Sequence, residues 1–280
     1  MPKLTLNKVK ALIKSRRAVR WEAGETSVSY LAMLSKPGMV HMGIGVSEEE
    51  LAAVQDSMMM TVARAKSPPV RIDWRNHKGA NYVTSVRNQL TCGSCVAFAT
   101  CATLEARDAV KRKAPVPTLN LSEAHLFYCG CGNCCGTGWQ PDGALNFAQT
   151  TGVGLESDFP YTPGNQACKP GITPHFKISS FSTATSMQAR KLAISGKGPV
   201  IAAMKVFRDF PYYKGGIYTP VTSDLVGLHA ICAIGYDNTD KCWIIKNSWG
   251  SGWGSGGYGR IAFGTTCEID GSFPFWIPEM

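Results

Sequence analysis

Apolar positions in this chain follow two regimes. Through the first half they recur at helical spacing, and from Gly198 onward they gather in short runs broken by turns. Leu6, Val9 and Ile13 lie three and four apart in a basic stretch, which predicts a short amphipathic helix over residues 3–14. Tyr30-Leu31-Ala32-Met33-Leu34 forms an apolar patch between flexible residues. Ser47 followed three residues later by Glu50 has the form of a capping box, and Leu51, Val54, Met58 and Val62 would share one face of the helix it starts. Ser67-Pro68-Pro69 ends that pattern, because proline lacks a donor and cannot continue a helix. Beyond it Phe98, Ala102, Glu105 and Ala109 keep register for a helix from Cys95 to about Ala109. Ser122 stands where it can cap the next one, and residues 155–177 are rich in turns.

The later runs read as strands. They are Pro199-Val200-Ile201-Ala202-Ala203-Met204, His229-Ala230-Ile231-Cys232-Ala233-Ile234-Gly235-Tyr236 and Cys242-Trp243-Ile244-Ile245-Lys246, with Tyr218 in a further short one. Helices first and strands second predict an α+β fold with a helical half, about 76–178, and a sheet half, about 179–270. Residues 1–66 stand apart as a cysteine-free N-terminal segment, ahead of a body over 67–280. No apolar run is long enough to span a bilayer, and a monomer is expected.

Charge and cysteine content sharpen this picture. The net charge is +9, and the first twenty residues carry Lys3, Lys8, Lys10, Lys14, Arg16, Arg17 and Arg20 with no acid. Such a surface favours polyanion or phosphate ligands, although a solvated basic face is the simpler reading. No nucleic-acid-binding motif accompanies it. Eleven cysteines suggest an oxidising compartment, secreted or periplasmic, and an odd number leaves at least one thiol outside intramolecular pairing. The N-terminus does not read as a secretory leader, because its apolar residues are interleaved with lysines.

The chemistry centres on four residues in the order Gln89, Cys95, His229, Asn247. A thiol attacks a carbonyl only as thiolate, and Cys95 at a helix start gains from the N-terminal dipole. His229 is the candidate base and acid, Asn247 can accept from one ring N–H, and Gln89 can donate to a developing oxyanion beside the Cys95 N–H. Singly, each has a plain structural reading: a buried thiol, a core histidine, a turn asparagine. Together, with their flanking residues, they point to a cysteine hydrolase that needs no cofactor or metal.

The flanks carry a family likeness. Gln89 with Cys92-Gly93-Ser94-Cys95, Leu228-His229-Ala230, and Lys246-Asn247-Ser248-Trp249-Gly250 resemble the papain-like cysteine proteases. Ile72-Asp73-Trp74-Arg75 is similar to that family's mature amino terminus. Ser122-Glu123, Tyr161, Gly215-Gly216-Ile217-Tyr218 and Gly235-Tyr236 follow in the family's order, so the resemblance covers roughly residues 68–280. It implies the two-domain papain fold, a helical left domain and a β-barrel-like right domain, with Cys95 and His229 on opposite walls of a cleft. It also implies that Trp249 shields the His229–Asn247 contact, and that the partners are protein or peptide substrates. There are departures. Val96 replaces an aromatic residue, Leu90-Thr91 stands where small residues are usual, and the Cys-Asn-Gly-Gly run becomes Cys135-Gly136-Thr137-Gly138.

The resemblance further implies disulfides of Cys92 with Cys135 (or Cys134) and of Cys129 with Cys168. Cys129-Gly130-Cys131-Gly132-Asn133-Cys134-Cys135 also contains metal-ligand spacing, which keeps a zinc site open as an alternative. Gly138 would bind extended substrate through its backbone. Trp139, Pro141, Leu228 and Ser272 would wall an apolar specificity pocket, with Asp270 near its floor able to admit arginine. Residues 1–66 occupy the place of an inhibitory prosegment, with the patch at Tyr30 able to fill that pocket.

Overall fold

The Val-, Ile- and Ala-rich run after Gly198 becomes β4 in a large antiparallel sheet, where buried strands need apolar residues on both faces. In the computed structural model, residues 4–33, 67–264 and 267–280 are described. The expected helix carrying Leu51, Val54, Met58 and Val62, and its cap at Ser47, lie outside them. The strands are β1 (Arg20–Ala23), β2 (Arg71–Asp73), β3 (Ser180–Ala184), β4 (Val200–Phe207), β5 (Tyr213–Ile217), β6 (Leu225–Asp237), β7 (Cys242–Lys246), β8 (Tyr258–Ala262) and β9 (Phe275–Glu279). The main sheet runs β3-β9-β4-β6-β7-β8, an open path among the described residues. Strand β6 is its spine. It pairs with β4 from Leu225 to Ala233, and β2 takes over on that edge at Gly235–Asp237.

Helix α2 (Cys95–Arg112) forms the centre of the helical half. Its residues from Cys95 to Ala106 are buried all round, because it lies between the other helices and the sheet. Against it pack α3 (Pro141–Thr150), with Pro141 in its first turn where a missing N–H costs nothing, and a π-helical turn at His125–Cys129. Helix α4 (Met187–Lys197) packs on the sheet and is capped by Ser186, whose hydroxyl accepts from Ala189 N–H at 3.1 Å. No helix among the described residues is long and apolar enough to cross a membrane.

Residues 4–33 dock onto the sheet half. Helix α1 (Leu6–Ser15) buries Val9 and turns Lys8, Lys10 and Lys14 to solvent. Thr5 caps it by accepting from Lys8 N–H, which places its start later than apolar spacing alone suggests. Strand β1 then pairs antiparallel with β5, Trp21 opposite Gly216. Gly216 is required there: its φ is +85°, and a Cβ would meet Arg20 O at 2.2 Å. Further contacts gather on residues 208–220: Gly24 N–H to Tyr212 O, Thr26 Oγ1 to Pro211 O, Arg208 to Ala32 O, and Tyr212 OH to Leu4 O, with Arg20 to Asp240 O and Ser27 Oγ to Trp249 O beyond them. Asp209 holds this platform together, its buried carboxylate accepting from Tyr218 OH at 3.1 Å and Val221 N–H at 2.8 Å.

The Tyr30 patch departs from expectation. Leu31 and Ala32 are buried in the core cluster of the sheet half, whereas Tyr30 is 48 % exposed. The helical turn at Ser29–Met33 sets Leu31 and Ala32 against the 208–212 platform and leaves Tyr30 half exposed, and Leu34 lies outside the described residues.

Trp21 anchors the docked segment. It is 4 % exposed, packs on Tyr218 at 5.1 Å between ring centroids, and donates through Nε1 to Thr219 O at 2.9 Å. Trp21→Ala should cost about 3–5 kcal/mol of docking energy. Limited proteolysis should then cut residues 4–33 many times faster while the body stays resistant. Unchanged cleavage rates would mean that Trp21 is not the anchor.

Candidate active site

Cys95 is the first residue of α2, and its Sγ reaches the sheet half: Ala230 N–H points to it at 3.5 Å. The neighbouring strand residue is His229, so the thiol lies where α2 abuts the part of β6 that carries the imidazole. The turn before α2 is tight. Ser94 N–H donates to Cys92 O at 2.8 Å, and Gly93 N–H donates to Cys135 O at 2.9 Å. A Cβ on Gly93 would sit 2.8 Å from that oxygen.

The hydrogen bonds fix the imidazole tautomer. Asn247 Oδ1 accepts from Ser248 N–H at 2.8 Å, and a backbone N–H can only donate, so this atom is the amide oxygen. His229 Nε2 lies 2.8 Å from the same oxygen and must carry the proton. Nδ1 therefore holds the lone pair, and it has no hydrogen-bond partner among the described residues. Trp249 covers the pair, its ring centroid 5.0 Å from that of His229. Cys95 and His229 are both 0 % exposed. Burial pushes the His229 pKa down to about 4, with the Asn247 hydrogen bond opposing it, so the imidazole is neutral in this state.

Gln89 is brought to the same place by residues 87–89 running beside 248–250. Gln89 N–H donates to Ser248 O at 2.9 Å, and Gly250 N–H donates to Arg87 O at 3.0 Å. The Ser248 hydroxyl donates to Gln89 Oε1 at 2.6 Å, which turns the amide NH2 toward Cys92, whose carbonyl it meets at 3.0 Å. Tyr161 OH donates to Gln89 O at 2.8 Å and stands 2.8 Å from Ser94 Oγ, linking the oxyanion-side segment to the start of α2. Sequence reading named Ser248 and Tyr161 only as parts of motifs and missed what they hold. Their partners lie 159 and 72 residues away, and no local signal announces such pairs.

Behind the site lies a buried charged chain. Lys246 Nζ donates to Thr84 Oγ1 at 2.9 Å, Thr84 donates to Glu105 Oε2 at 2.6 Å, and Glu105 Oε1 accepts from Leu121 N–H at 2.9 Å. Burial raises the Glu105 pKa and lowers that of Lys246, while their attraction opposes both shifts. Glu123 beside them is pushed up to about 8 by burial and then by Glu105. Because Lys246 precedes Asn247, this chain anchors the end of β7 that carries the amide.

The pocket candidates are placed unevenly. Trp139 and Leu228 pack on one apolar cluster with Ala203, Ala230 and Phe273. Trp139 fits because Gly130 and Gly143 leave room; a Cβ on either would meet its ring at about 2.5 Å or less. Pro141 is buried at the start of α3, and Gly138 is buried with φ +76°. Ser272 is exposed and donates to Glu268 Oε2 at 2.9 Å. Asp270 does not offer its carboxylate to a pocket. It accepts from Trp243 Nε1 at 3.1 Å and from Gly264 N–H, holding its own loop.

Three disulfides are present: Cys92–Cys135, Cys129–Cys168 and Cys131–Cys134. They engage every sulfur of the run 129–135, so none remains as a thiolate for zinc. Cys95, Cys101, Cys232, Cys242 and Cys267 remain as buried thiols.

An antiparallel sheet faces a helix whose first residue, Cys95, lies against Ala230, and the next strand residue back, His229, bonds to Asn247. The profile of the papain family cysteine protease matches residues 68–275, and the chain belongs to this family. It is 35 % identical over 216 residues to cysteine proteinase 1 of Entamoeba histolytica, covering 72 % of this chain and 66 % of that protein. Ananain of Ananas comosus is 37 % identical over 202 residues, covering 70 % of this chain and 56 % of its own length. The chain thus spans about two thirds or less of the length of these relatives. Among solved structures, procathepsin L 3 of Tenebrio molitor larval midgut superposes with a TM-score of 0.76 at 25 % identity, covering 98 % of this chain and 90 % of that one. A recombinant stem bromelain precursor gives 0.72 at 27 % identity, over 98 % of this chain and 89 % of that one.

Proposed function

We propose that the chain is the latent form of a cysteine endopeptidase. The reading is carried by one observation, a thiol at a helix start against the strand residue that follows His229, whose ring tautomer Asn247 fixes. Cys95 gives its proton to His229 Nδ1 and attacks the peptide carbonyl. The Gln89 amide and the Cys95 N–H donate to the oxygen as it becomes negative. His229 then protonates the leaving amine, and a thioester remains on Cys95. Water attacks that thioester with His229 accepting its proton, which releases the acid product and restores the thiol.

Residues 1–66 act as the inhibitory segment in this reading. Support comes from the docking of residues 4–33 on the 208–220 platform, from full burial of Cys95 and His229, and from the likeness to a procathepsin L and to a bromelain precursor. Substrates are extended peptides with an apolar side chain before the cleaved residue, received by Trp139, Pro141 and Leu228 with Ser272 at the rim. Three disulfides favour an oxidising compartment, so the protein acts outside the cell or in a lumen of that kind.

A fluorogenic peptide assay after mild acid treatment, with and without a thiol-directed epoxide, tests this reading. Turnover should appear and should be abolished by the epoxide, with one adduct mapped to Cys95. An adduct on any other thiol, with turnover lost, would move the nucleophile elsewhere.

A further inference from the structure

Four cysteines crowd into the seven residues from Cys129 to Cys135, and three bridges use them. Cys129–Cys168 and Cys92–Cys135 join positions 39 and 43 residues apart and pin both ends of this run to distant parts of the fold. Cys131–Cys134 spans three residues, between points already held. The entropy removed from the unfolded chain grows with loop length, so this bridge contributes least to stability. A covalent bond with so small a structural task invites another one.

Its surroundings allow it to open and close. Both cysteines are half-buried, Asn133 between them is exposed, and Gly132 at φ +82° has nothing within 4 Å of where a Cβ would stand. An attacking thiolate can therefore approach. Cys131 N–H is held by Phe127 O at 2.8 Å and Cys134 N–H by Gly132 O at 3.0 Å. These bonds keep the two sulfurs near each other after opening, which favours reclosure. Cys168 is exposed too, but its bridge closes a long loop, and Cys92 is wholly buried.

The bridge also connects to Gly138 and to the turn that precedes Cys95. Cys134 O accepts from Gly138 N–H at 2.7 Å and from Thr137 N–H at 3.2 Å, and Cys131 Sγ lies 3.8 Å from Gly138 O. Cys135 O receives Gly93 N–H, two residues before Cys95. We propose that Cys131–Cys134 is a reversible dithiol–disulfide site, opened by dithiol reductants, whose state sets the position of Gly138 beside the cleft. One thiolate of the reductant attacks a sulfur of the pair, forming a mixed disulfide while the other cysteine leaves as thiolate and takes up a proton. The reductant's second thiolate then attacks the mixed disulfide, freeing the second cysteine. Two electrons pass to the protein, and the reductant leaves as its disulfide. The role of Gly138 as a cleft wall rests on the peptidase reading; the redox chemistry does not.

The test equilibrates the full chain with dithiothreitol at rising ratios of reduced to oxidised reagent, traps thiols by alkylation, and maps peptides. Cys131 and Cys134 should become alkylated at ratios about tenfold lower than the other bridged cysteines. Amide exchange at Thr137 and Gly138 should speed up about tenfold or more in the opened form and slow again on reoxidation. The chain carrying Cys131→Ser and Cys134→Ser together should exchange fast there at every ratio. Long bridges opening first or simultaneously, or exchange at residues 137–138 indifferent to the bridge, overturns the proposal. Neither readout requires turnover, so both stand or fall apart from the peptidase reading. Where turnover is measured, KM for long peptides should rise in the opened form with kcat unchanged, and an unchanged KM overturns the link to the cleft.

Discussion

Cys95→Ala should reduce peptide turnover by about four orders of magnitude or more, because it removes the nucleophile that forms the acyl intermediate. His229→Ala should do nearly the same. Asn247→Ala should be milder, a loss of about ten- to a hundredfold, since it removes one buried hydrogen bond that orients the ring rather than a group that bonds to substrate. The ordering matters as much as the size. Removing the alanine-sized difference at Cys95 leaves the surrounding packing of Val96, Ala97 and Ala99 intact, so melting temperature and near-UV circular dichroism should be unchanged. A Cys95→Ala protein that folds normally and turns over at the wild-type rate would sink the mechanism. Equal losses for Asn247→Ala and Cys95→Ala would show that Asn247 does more than orient.

The candidate residues of this site stood out in the sequence because four chemically matched side chains came with distinctive neighbours in a fixed order. The α+β fold was legible for a related reason: the change at Gly198 from helical spacing to short apolar runs marks where β4 to β9 begin. What could not be read was pairing over distance. Trp21 looks like one more aromatic in a basic arm until β1 meets β5, nearly two hundred residues on. Ser248 looks like a turn serine until Gln89 arrives beside it. Cys131 had no assigned partner and Cys134 stood only as an alternative partner for Cys92, because spacing alone fits a metal pair and a disulfide equally well. Asp270 was misread because its carboxylate lies close in sequence to the pocket candidates, yet it is turned to Trp243 and Gly264. In each case local pattern named the residue, and the register of distant segments decided its task.

Release of the N-terminal segment should raise activity, and acid should promote that release. A chain beginning at Ser67 should show kcat/KM at least about tenfold above the full chain, because a tethered inhibitor works at high effective concentration. Should the shortened chain fold poorly, Trp21→Ala in the full chain provides the same comparison, since it weakens docking at the β1–β5 contact. The pH dependence follows from His229. Its pKa is pushed down from 6.5 to about 4 by burial, and on the proposed reading residues 1–66 supply part of that cover. Uncovering rehydrates the ring and returns the pKa toward 6.5, so protons bind the uncovered state more tightly. The preference for the covered state is therefore full above pH 6.5, declines as pH falls, and is gone below about 4. At about 1.4 kcal/mol per pKa unit this amounts to roughly 3 kcal/mol, enough to shift the balance between states about a hundredfold. A full-length sample taken to pH 4 and assayed at once should thus be far more active than one held at pH 7.5, whereas the chain beginning at Ser67 should show little benefit from the acid step. If acid activates both forms equally, the effect belongs to the catalytic pair itself and not to its cover.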